Sequence, residues 1–240
     1  MRTTMAGSML DTLSRNYNYR TKSAKFFELG RVYIPNEKGQ LPDEPRTLMM
    51  GMYGDVDFFD IKGVCEEMFS ELHIENVEYE RLTDNPVYHP GRSAVIKVNG
   101  KVLGVIGEVH PSVLRNFEIG TKAYIGELDF MTIFNASNRD VKYTPLTKFP
   151  AVTRDFSIVV DASTPVAEIE KVMKKAGGKL LTKLELNDVY TGSQIPEGKK
   201  SVMYKAEFKA PDRSLTGEEA DNLHAKIVKN LGNELGAELR

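Results

Sequence analysis

Four histidines, one cysteine and 34 carboxylates are the side chains from which this 240-residue chain could assemble a catalytic centre. His73, His89, His110 and His224 stand at no metal-ligand spacing, and none joins Cys65 in a nucleophile signature. Cys65 falls on the apolar stripe of a predicted helix, which favours a packed thiol over a reactive one. Asp55, Asp57, Asp60, Glu66 and Glu67 could offer oxygens to a hard cation, but no glycine-centred calcium loop accompanies them. Acids at the start of a helix are in any case favoured by its dipole. Gly177-Gly178-Lys179 lacks the remainder of a phosphate loop and reads as a helix terminator. Gly104-Val105-Ile106-Gly107 reads as a strand with small residues, not a dinucleotide fingerprint. The chain is therefore expected to carry no catalytic site, metal or cofactor of its own.

The remaining chemistry is that of recognition. If Val202, Tyr204, Ala206 and Phe208 face a core, strand alternation puts Ser201, Met203 and Lys205 on the opposite, open face. Asp188 and Tyr190, two residues apart, share one side of the neighbouring strand. A ring beside a carboxylate and a hydroxyl on an uncovered sheet can stack a base and read its polar edge, as in single-stranded RNA recognition. The plainer alternative makes Tyr190 an edge packer and Asp188 a solvated strand end, and these residues alone favour it.

The elements that would position these groups are legible from periodicity. Met1, Met5, Met9 and Leu13 mark a helix over residues 1–17, followed by a strand over 25–35. Ile61, Val64, Cys65, Met68, Phe69 and Leu72 predict a helix over 59–73. Strands follow at 77–82, 93–98 and 102–109, the last two joined by an Asn99-Gly100 hairpin turn. Pro111 opens a short helix to Phe117, and a strand covers 123–131. Residues 135–150 lack periodicity and read as a linker. Beyond them lie a strand at 154–161, a helix at 165–176 with Thr164 as N-cap and Pro165 first in the helix, and strands at 180–190 and 201–209. A helix over 216–235, opened by the capping box Thr216-x-x-Glu219, and a short strand at 237–240 complete the chain. The order β-α-β-β-α-β is that of the ferredoxin-like fold, so the fold class is α+β.

Composition agrees with a globular chain of one or two domains: 41% hydrophobic, 28% charged, net charge −2. Residues 1–150 hold 18 basic and 20 acidic side chains and residues 151–240 hold 14 of each, so nucleic-acid contact must be local rather than through a broad basic field. There is no transmembrane run and no signal-peptide core, and a single cysteine suits a reducing compartment; the expected location is the cytoplasm.

Several strings then occur in order: Phe27-Glu28-Leu29-Gly30-Arg31-Val32-Tyr33, Asp57-Phe58-Phe59-Asp60-Ile61-Lys62-Gly63, His89-Pro90-Gly91-Arg92-Ser93-Ala94, Ile106-Gly107-Glu108-Val109-His110-Pro111 and Phe149-Pro150-Ala151-Val152-Thr153-Arg154-Asp155-Phe156-Ser157. Together with Met1-Arg2-Thr3-Thr4-Met5 leading into a helix, the series resembles the C-terminal part of the β subunit of bacterial-type phenylalanyl-tRNA synthetase, over essentially the whole chain. The resemblance implies a non-catalytic, N-terminally incomplete class II synthetase-like core over 1–140 and a ferredoxin-fold anticodon-binding domain over 148–240. It implies ATP and magnesium in the whole enzyme only, a catalytic α subunit as partner in an α2β2 assembly, and phenylalanine tRNA gripped at its anticodon. The family's anticodon contacts fall on Asp188, Tyr190 and Ser201. Its further arginine falls on Arg213. For Arg213 and Arg154, phosphate contact and a structural salt bridge stay open. The alternative is a ferredoxin-like regulatory or assembly module that binds no RNA.

Overall fold

The computed structural model describes residues 1–37, 39–138, 140, 143 and 149–240. It divides into two compact units, Met1–Lys142 and Tyr143–Arg240. Half of the segment expected as a linker, residues 135–150, lies outside the described residues.

The first unit is built on helix α1 (Ala6–Asn18), strands β1 (Ala24–Arg31) and β2 (Arg46–Tyr53), helix α2 (Phe58–Glu71), strands β3 (Val77–Arg81), β4 (Tyr88–Val98) and β5 (Lys101–Val109), helix α3 (Pro111–Asn116), strand β6 (Ala123–Asp129) and helix α4 (Phe130–Ala136). Its six strands form one antiparallel sheet in the order β1-β2-β6-β5-β4-β3. Alternation divides β2 between two cores: Met49 and Tyr53 pack with Met5, Met9 and Leu13 of the α1 side, while Met50 and Met52 pack with Ile61, Cys65 and Phe69 of α2. Covering both faces is why β2 reads as a continuous apolar run.

The Asn99-Gly100 turn has the expected left-handed backbone at both residues, φ 49° and 77°, and joins Val98 to Lys101. Three expectations for this unit need correction. The first helix begins at Ala6, because Met1–Met5 is held elsewhere: the Arg2 guanidinium donates to Glu28 at 2.8 Å and to the Arg31 carbonyl, and the Met5 amide donates to Glu127 at 2.8 Å. Strand β1 ends at Arg31, since Pro45 has no amide proton with which to extend the ladder beyond Arg31 and Arg46. The strand at 123 stops at Asp129, whose carboxylate accepts from the Thr132 amide at 2.6 Å and opens the unforeseen helix α4. Asp57 and Asp60 are engaged as the two halves of a capping box at the start of α2.

The second unit comprises β7 (Val152–Asp161), α5 (Val166–Gly177), β8 (Leu181–Tyr190), β9 (Lys199–Phe208), α6 (Gly217–Leu235) and β10 (Glu238–Leu239). Its sheet order is β10-β7-β9-β8, the fourth-first-third-second arrangement of a ferredoxin-like fold. Phe156, Ile158, Val160, Val202, Tyr204, Ala206 and Phe208 meet Ile169, Met173, Ala220, Ile227 and Leu231 of the two helices in one core. Pro165, not Thr164, occupies the N-cap position of α5, with extended backbone (ψ 143°), and the helix starts one residue later than expected. Gly178 ends α5 at φ 58°, and the capping box of Thr216 and Glu219 opens α6.

Candidate nucleic-acid interface

The helices cover one face of the second sheet, and the other face carries the candidate residues. In register, Asp188 opposes Met203 and Met203 opposes Ser157; Tyr190 opposes Ser201 and Ser201 opposes Val159. Directly paired residues share a face, so these form two neighbouring rows across the strands. The backbone amide of Arg240 donates to the Ser157 carbonyl at 2.8 Å, which brings Arg240 to the end of the Asp188 row.

A β-bulge in β8 sets this arrangement. Leu186 opposes Tyr204, a core residue, while Asp188 opposes Met203, leaving Asn187 as the extra residue. Without it, counting by two from Leu186 would aim Asp188 and Tyr190 at the helix side; the inserted residue moves both to the open face.

The loop from Thr191 to Gly198 closes one side. It is anchored by buried Ile195 and by the hydrogen bond from the Ile195 amide to the Gly192 carbonyl. Gln194 Oε1 accepts from Arg240 Nη2 at 2.8 Å. The result is a shallow depression of about 290 Å³ lined by Ser157, Asp188, Tyr190, Gln194, Ser201, Met203 and Arg240. Ser201 is only 5% exposed and forms its floor, while Tyr190, 39% exposed, forms a wall. The depression offers an aromatic face, a carboxylate acceptor and a guanidinium with donors to spare. That combination can hold a planar heterocycle and bond to both donors and acceptors on its edge.

The fold thus gathers Asp188, Tyr190 and Ser201. Arg154 and Arg213 lie elsewhere. Arg154 pairs with Ala206 on the helix side of the sheet, and its guanidinium donates to Asp221 at 2.8 Å and to the Gly217 carbonyl at the start of α6. Arg213 makes a two-pronged pair with Glu219 at 2.7 and 2.8 Å. The Arg213 guanidinium holds the Glu219 carboxyl well below its ordinary value of 4.5, at about 2, with the Thr216 amide assisting. Sequence reasoning missed Gln194, Arg240 and Ser157, which enter through the loop and the last strand. It also missed Gly192, where a side chain would collide with the Tyr190 ring. A glycine two residues after the aromatic was the one available signal.

Fold and site together define an α+β protein whose second unit is a ferredoxin fold with a shallow polar and aromatic depression on the sheet face away from its helices. Two family descriptions match the sequence: "Phenylalanyl tRNA synthetase beta chain CLM domain" over residues 1–130 and "Ferredoxin-fold anticodon binding domain" over residues 147–240. The chain is 47% identical over 241 residues to the phenylalanine–tRNA ligase beta subunit of Clostridium tetani and 45% identical to that of Clostridium acetobutylicum. All of this chain is matched in both cases, and it spans about 30% of the length of each relative. The chain belongs to the phenylalanyl-tRNA synthetase β-chain family.

Proposed function

We propose that this chain is the structural and anticodon-binding part of a phenylalanine–tRNA ligase, the enzyme that attaches phenylalanine to its tRNA using ATP. The observation that carries this reading is the gathering of Asp188, Tyr190 and Ser201 on the open face of a ferredoxin-fold sheet by one bulge. In it, Tyr190 stacks on an anticodon base, Asp188 accepts from base N–H groups, and the Ser201 hydroxyl and Arg240 complete the polar edge. Grip at the anticodon supplies binding energy far from the reacting bond, which can be used to position the acceptor end. Arg154 and Arg213 serve this site indirectly, by holding the start of α6.

Residues 148–240 form the anticodon-binding domain in this reading. Residues 1–140 form a class II synthetase-like core without catalytic residues, which braces a catalytic α subunit in an α2β2 cytoplasmic assembly. ATP and magnesium belong to the whole enzyme.

The test is an NMR titration of the 240-residue chain with a phenylalanine anticodon stem-loop, against the same loop with its anticodon scrambled. Shifts at Asp188, Tyr190, Ser201 and Arg240 with the true anticodon alone are expected. Equal shifts with both loops, or none at millimolar RNA, would overturn the reading and leave this sheet a scaffold.

A further inference from the structure

Met203 lines the depression, and packing within the chain does not account for it: it lies outside the core of the second unit and is 38% exposed. Four residues there mark a square on the open face. Asp188 and Tyr190 stand along β8, and Met203 and Ser201 stand opposite them on β9. Tyr190 and Met203 are therefore diagonal neighbours, and so are Asp188 and Ser201. One diagonal is apolar and the other is polar.

Diagonal neighbours on an antiparallel pair stand about 7–8 Å apart. A flat ring touched on both faces needs two van der Waals contacts of ~3.5–4.0 Å each, which together make the same spacing. A base set between Tyr190 and Met203 has its plane along the other diagonal, so its edge meets Asp188 and Ser201. A thioether suits such a place, because it is polarisable, adapts to the ring beside it and makes a favourable sulfur–aromatic contact. It is also open to oxidation. Of the ten methionines, only Met1, Met131 and Met203 are exposed. Met68 packs against the α2 core and the others are buried.

We propose that Met203 is the second face of a base clamp, opposite Tyr190, and that oxidation of its thioether by hydrogen peroxide loosens the grip on RNA. The inference rests on the anticodon reading above, because it takes the base from that RNA. In the oxidation the peroxide O–O bond breaks, one oxygen bonds to Sδ and the other leaves as water. Sulfur gives up an electron pair and the peroxide is reduced. The sulfoxide sets a polar oxygen where the base face needs an apolar partner, and methionine sulfoxide reductases return it to the thioether.

The experiment measures anisotropy of a labelled phenylalanine anticodon stem-loop with the 240-residue chain, before and after hydrogen peroxide, for the native sequence, Met203→Ala and Met131→Leu. Peptide mass spectrometry locates the added oxygen. Met203→Ala is expected to weaken binding about 2- to 12-fold, the worth of a sulfur–aromatic contact. The native chain oxidised at Met203 should lose at least as much, and peroxide should cost Met203→Ala nothing further. Met131→Leu should bind, and respond to peroxide, as the native chain does. An unchanged thermal midpoint for Met203→Ala separates a lost contact from lost folding. Native affinity in Met203→Ala, or in chains carrying oxygen on Met203, would overturn this inference and leave the anticodon reading standing. A native chain that binds no stem-loop before peroxide would overturn both.

Discussion

Gly192→Ala isolates the positioning of the Tyr190 ring, because it leaves every base-contacting group chemically intact. Gly192 has an ordinary backbone conformation, so alanine adds no backbone strain there. Its Cβ, however, would stand 2.0 Å from the Tyr190 hydroxyl oxygen and 2.2 Å from Cζ. Ordinary contact begins near 3.4 Å. The ring must therefore retreat by roughly 1.4 Å, a large fraction of the spacing over which dispersion contacts act. A base stacked on an aromatic side chain is worth about 1–3 kcal/mol. Full loss of that stack lowers affinity about 5- to 150-fold. We expect Gly192→Ala to approach the loss seen for Tyr190→Ala, with thermal unfolding unchanged, since the ring is exposed at a sheet edge and outside the core. Anisotropy of a labelled anticodon stem-loop at fixed ionic strength measures it. Wild-type affinity for Gly192→Ala beside a weakened Tyr190→Ala would refute the positioning argument. Wild-type affinity for both would refute stacking itself.

Three further outcomes follow from packing and charge. The Glu219 carboxyl is depressed in the folded chain, from 4.5 to about 2, so its contribution is present above pH 4.5 and is lost as pH falls through about 2. Thermal midpoints of the native chain and of Arg213→Ala should therefore converge over that window; a constant gap from pH 7 to pH 2 would contradict the pairing. Gly104→Ala should destabilise by about 1–3 kcal/mol, as overpacking does, because its Cβ would meet the Glu127 carbonyl oxygen at 2.1 Å and the Leu128 Cα at 2.8 Å. Urea unfolding checks this, and an unchanged midpoint would count against the tight β5–β6 contact. Burial pushes the Cys65 thiol up to about 12, so at pH 8 it should resist a thiol reagent until the chain is unfolded. Rapid labelling of the native chain would show that the α2 core opens.

By itself, the sequence determined the features that depend on local repetition. Spacings of three and four predict α2, α5 and α6 because a helix brings those positions to one side regardless of what covers it. Thr216 and Glu219, and Asn99 with Gly100, are legible because their hydrogen bonds and backbone angles are settled within four residues. That Asp188 and Tyr190 share a side is likewise local. Which side was decided by the tertiary structure: the extra residue Asn187 becomes visible only against its partner strand, and one inserted residue exchanges the faces of everything after it. Pairing with β7 also brings Arg240 beside Ser157, and folding of the 192–198 loop brings Gln194 to Arg240, contacts between residues far apart in the chain. The same holds for Arg154. Its place on the helix face of β7, committed to the start of α6, follows from strand register, which no single strand's residues contain.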